Sequence, residues 1–266
     1  MSGNTNNGSE AKSDIVVALD IGNSQLTAGL FESGILKLHF YCDSKNASQS
    51  INRILDFNPS AVVISSVVPE QSEEMRKLLA ARGITPSILK SGDTRIIKGC
   101  YGTMGSDRIA NLIAARTLFG SDKAHIIVDC GTATTLSAVS KNGVFAGGFI
   151  TLGYGSTLDM LSRRTAQLPV PDADMAQVNA LGFDTESSIL NGTLLAQIAT
   201  IDLWISKAKQ SLLNGETAES IEVTATGGWC QEIASRSEMV DRVDPLLTIK
   251  GVYLSAAVVE VQGDLA

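Results

Sequence analysis

Several common chemistries are excluded by what the 266-residue chain has little of. It has only two histidines and four cysteines (Cys42, Cys100, Cys130, Cys230), and no two cysteines stand as CxxC. That spacing suits reduced thiols and argues against a zinc cluster or a disulfide framework. His125 lies inside the apolar run AHIIVD, where a packed strand residue is expected. Twenty-one basic against twenty-eight acidic side chains leave a net charge of −7, so a basic footprint for a nucleic-acid backbone is missing. The start, MSGNTNNGSEAKSD, lacks a basic-then-apolar signal pattern. No continuous apolar run approaches the ~18–20 residues of a membrane span. A cytoplasmic protein bound to neither membrane nor nucleic acid is the expectation. Aromatics are only 5% of the chain, yet 44% of it is hydrophobic, enough for large Ala, Val, Ile and Leu cores. Chemistry in such a protein falls to carboxylates and backbone amides.

The most informative feature present is an internal repeat. IVVALDIGNSQLTAGLFESGILKLHF (15–40) and IIVDCGTATTLSAVSKNGVFAGGFI (126–150) each read as an apolar strand ending in Asp-x-Gly, a small polar turn, a second strand, a Gly hairpin and a third strand. The interval from Asp20 to Gly34 and from Asp129 to Gly143 is the same fourteen positions. Alternating helices and strands follow each copy. The first half has a helix over 46–57, a strand over 61–68 and a helix opened by Pro69 and stopped by Gly83. A further helix over 109–119 precedes a lobe boundary near 120–123. The second half has a helix over 156–168 ended by Pro169 and Pro171, and a long helix from Thr185. A strand over 221–226, a short helix over 229–234 and a C-terminal helix over 252–261 complete it. The pattern predicts an α/β protein with a polar leader (1–13) and two duplicated lobes (14–120 and 121–266) around a cleft.

A carboxylate at a strand end, followed by glycine and a hydroxyl or amide residue, makes a metal-and-phosphate cradle, with amides donating to phosphate oxygens and the acid holding a cation. Alone, Asp20 or Asp129 reads as a strand terminator; paired across a cleft, they point to a nucleotide. There is no GxxxxGK[ST], and Gly153-Tyr-Gly155 lacks the third glycine of GxGxxG. Thr226-Gly227-Gly228 is either a nucleotide-site edge or an ordinary strand-to-helix turn. Before the helix IANLIAARTLF stands Tyr101-Gly-Thr-Met-Gly105-Ser-Asp107-Arg108, in which Ser106 is suited to cap the helix and Asp107 to its first turn. Arg108 opposes the helix dipole there; it reads either as half of a surface pair with Asp107 or as the partner of a ligand carboxylate or phosphate.

Taken in order, these segments resemble the type III pantothenate kinases of the sugar kinase/Hsp70/actin superfamily. Asp20-Ile-Gly-Asn-Ser is similar to D-x-G-N-T, Ser65-Ser-Val-Val-Pro69 to SSVVP, Gly105-Ser-Asp-Arg108 to G-x-D-R, and Asp129-Cys-Gly-Thr-Ala-Thr-Thr135 to D-x-G-T-A-T-T. Gly147-Gly148-Phe-Ile, Thr165-Ala-Gln-Leu-Pro169, Gly182-Phe-Asp-Thr185 and Thr226-Gly-Gly228 resemble the later segments. The resemblance implies two ribonuclease H-like lobes with mixed five-stranded sheets, and ATP-dependent phosphorylation of pantothenate, the first step of coenzyme A biosynthesis. It implies ATP contacts at Asp20, Ile21, Gly22, Asn23, Ser24, Gln25, Leu26, Thr27 and Thr132, and a general base at Asp107. Substrate contacts fall at Tyr101, Gly105, Ser106, Arg108 and Thr185. Mg²⁺ and a monovalent cation (K⁺ or NH₄⁺) at Asp129 are implied, with a homodimer completing the pantothenate pocket. The chain departs from the family at Ser137, where an acid is usual, at Leu152-Gly153 in place of Pro-Gly, and in a short interval after Tyr101. The lost acid at Ser137 is expected to bear on cation or nucleotide binding. The alternative is a catalytically weakened relative acting as a regulatory or binding protein.

Overall fold

The computed structural model describes residues 14–92, 94–165, 168–169, 171, 181–213, 217 and 220–259. The leader expected over 1–13, residues 166–167 of the TAQLP segment and the last two residues of the expected C-terminal helix lie outside them. Two five-stranded sheets carry the fold. In the first, β1 (Ile15–Ile21), β2 (Gln25–Glu32), β3 (Ile35–Asp43), β4 (Ala61–Ser66) and β5 (Ser87–Ile88) stand in the order β3-β2-β1-β4-β5. The helices α1 (Ile51–Asp56), after a 3₁₀ turn at Ser44–Ser50, α2 (Pro69–Ala80) and α3 (Ser106–Leu118) belong to the same half. In the second sheet, β6 (Ala124–Cys130), β7 (Ala133–Val139), β8 (Phe145–Leu152), β9 (Ile221–Thr226) and β10 (Arg242–Val243) stand in the order β10-β9-β6-β7-β8. Its helices are α4 (Tyr154–Arg164), α5 (Thr185–Leu212), α6 (Cys230–Ala234) and α7 (Leu247–Val259).

The two orders are the same topology read twice. In each half the first three strands pair antiparallel and the fourth and fifth add in parallel, and each second-to-third pairing carries one register irregularity, at Leu30/Phe31 and at Ala138/Val139. The expected ribonuclease H-like duplication is therefore the observed fold.

Three cores hold it. Val17, Leu19 and Ile21 of β1 point outward to pack with Ile54, Met75 and Leu79 of α1 and α2, and Ile126, Val128 and Cys130 of β6 point outward to α5 and α6. The opposite faces, through Ala18 and Ile127, meet a shared middle core built on α3 and α7. Strands covered on both sides read as near-continuous apolar runs, which is why β1 and β6 are apolar apart from His125 and the acids Asp20 and Asp129 near their ends. The two middle helices cross between the sheets: α7 lies on β1, β2 and β4, while α3 also reaches β6 and β7. Gly251 permits the crossing, because a Cβ there would stand 1.9 Å from the carbonyl oxygen of Ala110.

Two elements differ from their sequence expectations for local reasons. Helix α7 begins at Leu247 rather than 252, since Asp244 turns the chain: its carboxylate accepts from Leu246 N at 3.1 Å and from Lys250 Nζ at 2.7 Å. Helix α5, the one helix among the described residues long and apolar enough to cross a membrane, buries Leu194, Ile198, Ile201, Ile205 and Leu212 in the second core. Its start is fixed by a capping box between Asp184 and Ser187.

Candidate active site

The parallel register that builds each sheet also places a hydroxyl beside each strand-end acid: Asp20 is opposite Ser65, and Asp129 is opposite Thr226. Ser65 Oγ donates to Asp20 Oδ1 at 2.9 Å. Helix α3 starts between the two turns and brings Asp107 with it, so the three carboxylates open onto one cleft of about 750 Å³. The turns face each other across it, with Ser24 Oγ and Thr132 Oγ1 3.0 Å apart. The expected confrontation of the two Asp-Gly turns is thus observed.

Burial raises the proton affinity of all three acids, and repulsion between carboxylates adds to the rise at Asp20 and Asp129. Asp20 is pushed up to about 7, by burial first and then by the charges of Asp107 and Asp129, against the Ser65 hydrogen bond. Asp129 is pushed up to about 6, by burial and then by Asp107, with Asn111 pulling it down. Asp107 is raised by burial, and the Arg108 backbone N–H, donating to Asp107 Oδ1 at 2.8 Å, and the Arg108 charge work against that rise. Among the described residues no three His, Cys, Asp or Glu side chains sit close enough to chelate a metal by themselves. Concentrated negative charge without a chelating cluster favours cations that arrive with an anionic ligand and share its oxygens.

The acid of the second turn has distinct surroundings for its two oxygens. Asn111 Nδ2 donates to Asp129 Oδ2 at 2.9 Å. Oδ1 stands beside two glycines that line the same hollow of the cleft: a Cβ at Gly227, whose φ is +90°, would stand 2.5 Å from Oδ1, and one at Gly131 3.5 Å. Any side chain at 227 would be strained by its backbone and would collide with that oxygen and, at 2.8 Å, with the backbone of Cys130. The neighbouring Thr226 hydroxyl is fully buried without a hydrogen-bond partner.

The residues singled out in the sequence divide by location. Asp20, Gly22, Asn23, Ser24, Gln25, Thr27, Asp107, Asp129 and Thr132 line the cleft. Ile21 and Leu26 do not; both are fully buried in the first core, so only their backbone is near the turn. Gly105, not Ser106, is the N-cap of α3. Ser106 is the first helical residue, and its hydroxyl accepts from Ser66 N at 3.0 Å and lies 3.0 Å from Ser65 Oγ, which ties α3 to β4, the strand whose Ser65 hydrogen-bonds Asp20.

Arg108 is buried, at 5% exposure, rather than half of a surface pair. Its Nε donates to Ser137 Oγ at 2.9 Å, Nη1 to the Tyr101 hydroxyl at 2.6 Å and Nη2 to Leu136 O at 3.2 Å. Ser137 therefore serves the guanidinium, and the short interval after Tyr101 still brings that tyrosine to Arg108. Thr185 lies apart from the cleft, in an open depression with Phe183 and Ile189.

Sequence reasoning missed Tyr41, Trp229, Leu246 and Thr248 on the cleft wall, and Asn111 beneath it. Trp229 follows the Thr-Gly-Gly turn directly, and Asn111 stands four residues after Asp107, on the same helix face; both were readable signals. Tyr41 on an edge strand and Thr248 on a helix that starts early left none.

Comparison with known proteins follows the same lines. Residues 16–207 match the family model for type III pantothenate kinase. The type III pantothenate kinase of Rubrobacter xylanophilus is 30% identical over 90% of this chain and 96% of its own length. That of Agathobacter rectalis is 31% identical, again over 90% and 96%. A solved structure of a conserved Baf family protein from Campylobacter jejuni shares the fold, with a TM-score of 0.58 at 21% identity over 94% of this chain and 100% of that one. On the extent of the family match and on two full-length relatives of this similarity, the chain belongs to the type III pantothenate kinase family, kinases of coenzyme A biosynthesis.

Proposed function

We propose that the chain transfers the γ-phosphoryl group of ATP to the primary hydroxyl of pantothenate, giving 4′-phosphopantothenate and ADP. The observation that carries this reading is the placement of Asp107, a carboxylate of raised proton affinity, in the cleft that both strand-end turns share. The backbone amides and hydroxyls of 20–27, with Thr132, hold the phosphates. Asp107 accepts the proton of the pantothenate hydroxyl as that oxygen bonds the γ-phosphorus and the bond to the β-phosphate oxygen breaks. Positioning and charge stabilisation supply most of the rate, and the base about 10²–10⁴-fold.

An all-oxygen environment suits hard cations. Asp20, beside the phosphate turn, would hold Mg²⁺ or its water shell. Asp129 Oδ1, the glycine-walled hollow and the unpartnered Thr226 hydroxyl fit a monovalent cation such as K⁺ or NH₄⁺. Both ions, when bound, offset the charge of the transferring phosphoryl group.

Arg108 supports the substrate side of this reading, since its three protein partners are neutral and leave its charge for the pantothenate carboxylate. Tyr101 accepts a hydrogen bond from that guanidinium, and Gly105 and Ser106 stand just before Arg108 at the start of α3. Thr185 is distant from the cleft, and beside it Leu181 and Phe183 are 85% and 95% exposed. Apolar side chains so exposed support a homodimer in which a second copy covers this face and Thr185 reaches a pantothenate site.

A coupled ADP-release assay with and without pantothenate, in potassium, ammonium and choline buffers, tests the reading. Pantothenate-dependent turnover stimulated by K⁺ or NH₄⁺ is expected, and its absence in all three buffers overturns it. Asp107→Asn should lower kcat by about 10²–10⁴-fold with the fold intact by circular dichroism; near-normal turnover removes Asp107 as the base.

A further inference from the structure

We infer that Asn111, held by Thr248, is a positioning residue: it aims Oδ1 of Asp129 into the hollow between Gly131 and Gly227, so that the monovalent-cation site is formed only while helix α7 is seated on α3. The inference rests on the reading of Asp129 as the carboxylate of that cation.

A carboxylate rotates about its last torsion with little preference, so an acid beside an open hollow needs a partner to fix the plane of its oxygens. Asn111 supplies one. It is 1% exposed, and its amide spans two elements: Nδ2 donates to Asp129 Oδ2 at 2.9 Å, while Oδ1 accepts from Thr248 Oγ1 at 2.8 Å. The amide is held the right way round from both ends, because a flipped one would set its carbonyl against the carboxylate. With Oδ2 occupied, Oδ1 of Asp129 is the oxygen left toward the hollow.

Thr248 gives the arrangement its reach. It is the second residue of α7, it lines the cleft, and Ile249 beside it is buried in the shared middle core. The side chain that α7 extends to the amide is thus placed where a bound nucleotide would meet the helix. Outer partners of this kind typically change metal affinity by about 10–100-fold when removed.

The test uses the full-length protein saturated with ADP, and potassium chloride as the probe. The K⁺ concentration giving half of the rise in thermal-unfolding midpoint is measured against choline chloride at equal ionic strength, with the KM for pantothenate measured in parallel. Asn111→Leu is expected to raise half-saturating K⁺ about tenfold, and Thr248→Val several-fold, with KM for pantothenate unchanged. Thr248→Ser, which keeps the hydroxyl, should match the parent. A lower midpoint in choline with unaltered half-saturating K⁺ in Thr248→Val means a purely structural role and overturns the inference; this variant decides the matter if Asn111→Leu fails to fold. If the parent protein shows neither a K⁺-specific shift nor K⁺ activation, the cation reading of Asp129 itself falls, a failure visible without any variant.

Discussion

Asp20 should cost the cation-free protein stability, and the cost should appear as pH rises. Its carboxyl is held at about 7 in the fold against an ordinary 3.8. Between those values the folded state binds the proton more tightly than the unfolded chain does. The associated stability is complete below about pH 4 and is lost as pH climbs to about 7. At about 1.4 kcal/mol per pH unit, the stretch from pH 5 to pH 7 is worth about 2–3 kcal/mol. His125 acts in the opposite sense: burial lowers its proton affinity, so it favours the folded state as pH rises toward its ordinary 6.5. Asp20→Asn separates the two, because the histidine contribution is common to both proteins. Equilibrium urea unfolding at pH 5, 6, 7 and 8, in EDTA and choline buffers, should show Asp20→Asn gaining about 2–3 kcal/mol on the parent between pH 5 and pH 8. Parallel pH profiles for the two proteins, or a parent that gains on the variant, would refute the electrostatic account of the cleft. The variant should also lose nucleotide turnover, since the group that destabilises the empty cleft is the one the proposed chemistry needs.

Glycine substitutions should separate contact from propensity. Gly251→Ala places a methyl 1.9 Å from Ala110 O and should destabilise by about 3 kcal/mol in urea unfolding, whereas Gly192→Ala, with open space at the same helical geometry in α5, should stabilise by about 0.5–1 kcal/mol. Equal effects at the two sites would mean that α3 and α7 separate easily. The cysteines should react unequally: burial raises the thiol of Cys130 strongly and pushes Cys230 up to about 11. Iodoacetamide at pH 8, followed by peptide mass mapping, should therefore label Cys42 and Cys100, which are half-buried, well before Cys130 and Cys230. Early labelling of Cys230 would show the cleft floor to be open.

What was legible in the sequence was what repeats or is local. The two apolar strands ending in Asp-x-Gly announce themselves because both of their faces are covered, and the Gly hairpins at Gly34 and Gly143 need positive φ, which they have at 82° and 76°. The fifth strand of each sheet, Ser87–Ile88 and Arg242–Val243, is too short to leave any periodicity. Partnerships across the fold were not legible either. Arg108 and Ser137 stand 29 residues apart, and Asn111 and Thr248 stand 137 apart, so neither pair leaves a spacing to read. Ser106 shows how a correct residue can carry the wrong role: a serine at a helix start reads as a cap, yet its hydroxyl turns sideways to Ser66 because Gly105 already occupies the cap position.

The close crossing of α3 and α7 has one more consequence, for motion. Were the two halves to turn against each other like the blades of scissors, the contact of the two helix backbones at Gly251 would serve as the pivot. Asp107 lies within one helical turn of Ala110, close to that pivot, whereas Asp20 and Asp129 stand on strand ends belonging to opposite blades. A small rotation would spread the two phosphate-facing turns while leaving the aspartate of α3 nearly still.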